Sequence, residues 1–136
     1  METLYLTDLD QRRLELLLDV EQRNENMQHY VEMLRELLDT AVTMPSERIP
    51  PDVVTMNSVV RYEDELSHGM GEITLVYPAD ADPANGMVSI LSPFGNALLG
   101  LRVGETGLLR LPSGEQRRIK VLAVLYQPEA SGMLTT

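Results

Sequence analysis

The chain changes its hydrophobic period at one place, and proline marks it. Up to residue 42, apolar side chains recur at every third or fourth position. Pro45 and then Pro50-Pro51 follow, and beyond them come short apolar runs with strand-like spacing. Proline lacks the N–H that a helix uses, and its ring clashes with the preceding turn, so no helix runs through these positions. Any fold must therefore join a helical unit, residues 1–49, to a strand-rich unit, residues 50–136.

Met27, Tyr30, Val31, Leu34, Leu37, Leu38 and Ala41 follow the spacing of an amphipathic helix over 27–42, with Glu32, Arg35, Glu36 and Asp39 on the other face. A comparable stripe over 9–20 comes from Leu9, Leu14, Leu17, Leu18 and Val20, broadened by Leu16. Thr7 or Asp8 suits the cap of that first helix, and Asp10 suits the positive end of its dipole. The polar link Glu21-Gln22-Arg23-Asn24-Glu25-Asn26 is rich in turn-forming and capping residues. A link this short predicts two antiparallel helices, a short coiled-coil-like hairpin.

Past the prolines, strands are predicted at 58–63, 72–77, 87–91, 106–111 and 116–125. Asn85-Gly86 predicts a turn, and Pro112-Ser113-Gly114-Glu115 predicts a hairpin link. At Ser92-Pro93 the third strand must stop, because proline removes a ladder donor and can open a helix at its first position. A short helix follows, closed by Gly100 and again by Gly104. Five strands and one short helix predict an α+β domain, in which the helix covers one face of a largely antiparallel sheet.

Composition narrows the function. The chain has 136 residues, no cysteine, no tryptophan and a single phenylalanine, Phe94, so its core is aliphatic and it has no disulfide or thiolate metal site. No apolar run approaches the roughly 18 residues of a spanning helix, and no basic-then-apolar leader opens the chain. The reading is a cytoplasmic protein without a membrane role. Its formal charge is −10, and both halves are acidic, with Lys120 the only lysine. Nucleic-acid binding draws on cations that neutralise phosphates, so direct contact with nucleic acid is not expected. An acidic chain still suits the basic surfaces of a nucleic-acid machine.

Catalytic patterns are scarce. His29 and His68 have no partners at metal spacing and read as surface residues. No Gly-x-Ser-x-Gly and no phosphate loop is present, so neither enzyme activity, nor a metal, nor a cofactor is expected. One carboxylate cluster, Asp19, Glu21 and Glu25, falls at the predicted hairpin tip.

The segment Ser92-Pro93-Phe94-Gly95-Asn96-Ala97-Leu98-Leu99-Gly100 resembles the signature of the C-terminal domain of the bacterial Gre transcript-cleavage factors. Pro51-Asp52-Val53-Val54-Thr55-Met56-Asn57-Ser58, Tyr126-Gln127-Pro128-Glu129-Ala130 and Leu6-Thr7-Asp8-Leu9-Asp10 extend the resemblance. It implies a sheet domain similar in fold to the FK506-binding prolyl isomerases. It also implies a partner, RNA polymerase, engaged at the mouth of its secondary channel by Ser92, Pro93, Phe94, Gly95, Asn96 and Ala97. In the Gre factors, acids at the tip of a longer hairpin help hold a catalytic magnesium. Here each arm has only about 15 residues, a reach of roughly 22 Å.

The resulting expectation is a monomeric transcription regulator that competes with Gre factors and does not stimulate cleavage. Asp19, Glu21 and Glu25 are therefore assigned no cleavage role. Two alternatives stand beside it: an interaction module for another partner, and a prolyl isomerase, which the missing tryptophan argues against. Phe94 remains open between a core residue and an interface anchor.

Overall fold

A computed structural model describes residues 3–132, so the last four positions of the expected second unit lie outside the described residues. Strand β1 (Tyr5–Thr7) leads into helix α1 (Asp8–Glu21), a 3-10 turn (Glu25–Met27), helix α2 (Gln28–Thr40) and strand β2 (Val42–Met44). Thr7 caps α1, its hydroxyl accepting from the Asp10 N–H at 3.0 Å. The helices bury Leu14 and Leu18 against Val31, Leu34 and Leu38, as the period predicts. Two members of the expected stripe point the other way: Leu16 is 60% exposed and Val20 75%. Helix α2 ends earlier than its apolar pattern, because Val42 pairs in parallel with Tyr5 and begins β2. This two-stranded ribbon closes the hairpin at its neck.

A 3-10 turn (Ser46–Arg48) separates the prolines. Strands β3 (Val59–Asp64), β4 (Met70–Val76), β5 (Met87–Ser89), β6 (Thr106–Arg110) and β7 (Gln116–Tyr126) then form one sheet in the order β5-β4-β3-β7-β6. All neighbours are antiparallel except β4 and β5. Two 3-10 turns and Gly86, at φ 75°, carry the chain around to make that one parallel pair. Helix α3 (Pro93–Leu98) lies over the sheet, and a last turn of helix, α4 (Pro128–Ser131), follows β7.

One hydrophobic core runs through both parts. Leu14, Leu34 and Leu38 of the hairpin belong to the same buried cluster as Val60, Leu75 and Val121 of the sheet. The core therefore continues across the division at residues 49 and 50. The backbone joins the parts as well, since Tyr5 N–H donates to the Gly100 carbonyl at 3.2 Å.

Candidate partner-docking site

The corner that opens α3 is built from its own sequence. Ser92 caps the helix, its hydroxyl accepting from Gly95 N–H at 3.2 Å and donating to the Ser89 carbonyl at 2.6 Å. Pro93 takes the first helical position, where a missing N–H costs nothing. Gly95 is required by close approach: a Cβ there would lie 2.6 Å from Ile90 Cα and from the Ser89 oxygen. Ala97 is buried, and β6 crosses its carbonyl so closely that a Cβ on Gly107 would sit 1.9 Å from the oxygen. Packing alone thus accounts for Gly95 and Ala97.

Phe94 and Asn96 are half-buried at the surface of the corner. The Phe94 ring packs on Tyr62 with centroids 5.2 Å apart and planes tilted by 56°, and its inner side touches the core. Both readings of Phe94 have a physical basis, since one side is packed and the other is accessible. The Asn96 amide lies 3.5 Å from the Ile90 carbonyl, a long contact that leaves it free to take another partner. Beside the corner is an open cleft of about 420 Å³, walled by α2 and β6. Leu4, Leu37, Ala97 and Leu101 give it an apolar floor, with Glu36 and Arg110 at its rims. Its walls are some 70 residues apart in sequence, so no local pattern signalled it.

The hairpin tip does not bring its acids together. Glu21 ends α1 and accepts from the Asn24 amide at 3.1 Å. Glu25 opens the 3-10 turn and is exposed. Asp19 lies on the flank, beside a cleft of about 390 Å³ that it shares with Glu15, Arg35 and Asp39. Among the described residues, no three metal-binding side chains are placed to hold an ion. His29 and His68 are both exposed.

A buried polar cluster at the base of the hairpin went unread in the sequence. Asp10 is 4% exposed, and its carboxylate accepts from Met56 N–H at 3.1 Å. Burial pushes its pKa up to about 6, and the Glu129 carboxylate acts in the same direction. The Met56 N–H, the Arg13 charge and Thr7 oppose the rise. Glu129 accepts from the Thr55 hydroxyl at 2.7 Å, which also pairs with Ser58 at 2.8 Å. The nearby Tyr77 hydroxyl is pushed up too, first by burial and then by Asp10. Gln127 donates from its amide to the carbonyls of Pro50 and Val53, each at 2.8 Å. The 51–58 and 126–130 motifs therefore meet here, where they fasten α1 and α4 to the sheet.

Residues 49–126, more than half of the chain, match the family described as "Transcription elongation factor, GreA/GreB, C-term". The chain belongs to the GreA/GreB family. Within and around that family, the chain is 42% identical to the "Regulator of nucleoside diphosphate kinase" of Escherichia coli (strain K12), over 96% of this chain and 94% of the relative. It is 36% identical to the transcription elongation factor GreA of Caldanaerobacter subterraneus subsp. tengcongensis, over 74% of this chain and 66% of that one. Among solved structures, the GreA/GreB factor from Nitrosomonas europaea aligns with a TM-score of 0.72 and 37% identity. The alignment covers 93% of this chain and all of the other. These relatives are named as regulators and transcription factors, not as enzymes. No helix among the described residues is long and apolar enough to cross a membrane.

Proposed function

We propose that this protein regulates transcription in the bacterial cytoplasm by binding RNA polymerase at the entrance of its secondary channel. It occupies the site that Gre factors use, through the corner at Ser92, Pro93, Phe94 and Asn96, and does not stimulate transcript cleavage. One observation carries this reading: a GreA/GreB-type sheet domain is joined to a hairpin whose helices have only 14 and 13 residues, about 21 Å of reach. The GreA relative is the longer protein, since the shared 104 residues are a smaller share of it than of this chain. Docked at the channel mouth, Asp19, Glu21 and Glu25 stop short of a catalytic magnesium and are spread apart besides. An effect on nucleoside diphosphate kinase, after which one relative is named, would be reached through transcription.

The FKBP-like topology is part of this proposal, but isomerase activity is not, because the chain has no tryptophan to form the platform of such a pocket. A second reading, an interaction module for another partner, is favoured by Leu16 and Val20, which are exposed one turn apart on α1.

The test is a stalled, backtracked elongation complex given this protein, a Gre factor, or both. The expected result is inhibition of Gre-stimulated cleavage with no cleavage by this protein alone. Replacing Asp19, Glu21 and Glu25 together with Ala leaves that competition largely intact. Cleavage by this protein alone, abolished by the triple substitution, refutes the length argument. Absence of any polymerase binding at low salt refutes the reading as a whole.

A further inference from the structure

The sheet has two edges, and they are treated differently. At the β5 edge, the chain covers itself: Asp82 and Met87 exchange backbone hydrogen bonds of 2.8 and 3.0 Å. The β6 edge has no such cover. On its inner side, Val121 N–H bonds to Glu105 at 3.0 Å and Leu111 N–H to Glu115 at 2.9 Å, bracketing the ladder with β7. With Gly107 opposite Ile119 and Leu109 opposite Arg117, alternation places Gly107 and Leu109 in the bonded pairs. Thr106, Leu108 and Arg110 therefore turn both N–H and C=O away from β7. Among the described residues, no backbone or side chain takes up these groups. Such an edge is a template for another strand unless it is blunted by bulges, proline or covering chain.

The same edge lines the cleft of about 420 Å³ described above, to which Thr106, Leu108 and Arg110 all contribute. Across from it, α2 presents Leu37 low on the wall and Glu36 at the rim. Glu36 has no ion pair among the described residues, nor does Arg110. Hydrogen-bonding groups in a row and apolar cover beside them are what an extended peptide needs to add as a strand, and Glu36 and Arg110 put one charge of each sign at its rims.

We infer that the β6 edge and its cleft bind an extended segment of a partner protein, apolar at alternate positions and basic in charge. The backbone of that segment pairs with Thr106, Leu108 and Arg110, and its apolar side chains cover Ala97 and Leu101. A lysine or arginine on it faces Glu36. Charge selects this occupant over a second copy, since another copy brings ten further negative charges to a chain already at −10. The site stands on the strand edge and not on the exposed side of Phe94, although Asn96 of the proposed corner also lines the cleft.

The probe is a capped peptide, Lys-Val-Thr-Val-Thr-Lys, compared with Glu-Val-Thr-Val-Thr-Glu, each added to the full chain and followed by amide hydrogen exchange. The lysine peptide is expected to slow exchange at the Thr106, Leu108 and Arg110 amides while leaving β4 unchanged. The glutamate peptide is expected to bind about tenfold more weakly, the scale of one unfavourable charge contact. Leu108→Pro removes only an outward N–H, which an edge strand tolerates. It should weaken lysine-peptide binding by about tenfold or more, since a peptide carbonyl loses its donor.

No protection of the three amides by millimolar peptide overturns the proposal, as does equal binding of the two peptides. So does protection that rises with protein concentration in the absence of peptide, which would assign the edge to a second copy. The exchange measurement on the unsubstituted chain decides the matter even if Leu108→Pro fails to fold.

Discussion

Replacing Asp10 with Asn should make the protein more stable at neutral pH and flatten the dependence of its stability on pH. The Asp10 carboxyl has a pKa of about 6 in the folded chain, against 3.8 for the free side chain. Between those values the folded chain keeps a proton that the unfolded chain has released. The stability from this group is therefore complete below the lower value and disappears as pH rises through about 6. A gap of two units, at about 1.4 kcal/mol each, amounts to about 3 kcal/mol, of which a little under half falls between pH 5 and pH 8.

Asparagine keeps an oxygen for the Met56 N–H and removes the charge, although a neutral acceptor makes the weaker bond, by about 1 kcal/mol. The net gain at pH 8 is about 2 kcal/mol, shrinking to about 0.5 kcal/mol near pH 5. Urea unfolding of both proteins at intervals between those values measures the difference directly. Parallel curves for the two would refute the assignment, because they would mean that Asp10 does not titrate in this range. Asp10→Ala supplies the control: it orphans the buried N–H and should be less stable than Asp10→Asn by about 1–3 kcal/mol.

Phe94→Ala should lose about 2 kcal/mol of stability, less than a fully buried phenylalanine because only one side is packed, and should weaken polymerase binding by a similar amount. Phe94→Leu, which refills the packed side, should restore most of the stability but not the binding, as paired unfolding and binding titrations will show. Gly107→Ala forces a methyl into the Ala97 carbonyl and should cost about 3 kcal/mol or more, seen in urea unfolding, because backbone on both sides must move.

What could be read from the sequence was whatever a local pattern encodes. Helix α2 declared itself because Val31, Leu34 and Leu38 repeat with the helical period, and α3 because Ser92 and Pro93 begin a helix together. Leu16 and Val20 misled because apolar identity alone does not say on which side a neighbour lies. The β1–β2 pair was missed because each strand has three residues and its partner lies 37 positions away. Asp10 looked like a dipole residue because Met56, which buries and bonds it, is 46 positions downstream. The docking corner was legible as a motif, but its division into packed and available residues was not. That division depends on Gly107 and Tyr62, which reach the corner only in the folded chain.

The closed neck of the hairpin makes the two helices a lever with a short base. β1 and β2 clamp the chain where it enters and leaves the hairpin, and Tyr5 is bonded to Gly100 just past the end of α3. The pivot therefore stands against the corner that is proposed to grip the polymerase. Because the hairpin shares the core of the sheet, the two move as one body. A tilt of about 10° in docking swings a tip some 21 Å away by about 4 Å, more than the span of a hydrogen bond. Small adjustments in how α3 seats on a partner are thus magnified at the far end, and the angle of docking, not the chemistry of the tip, governs what the hairpin can obstruct.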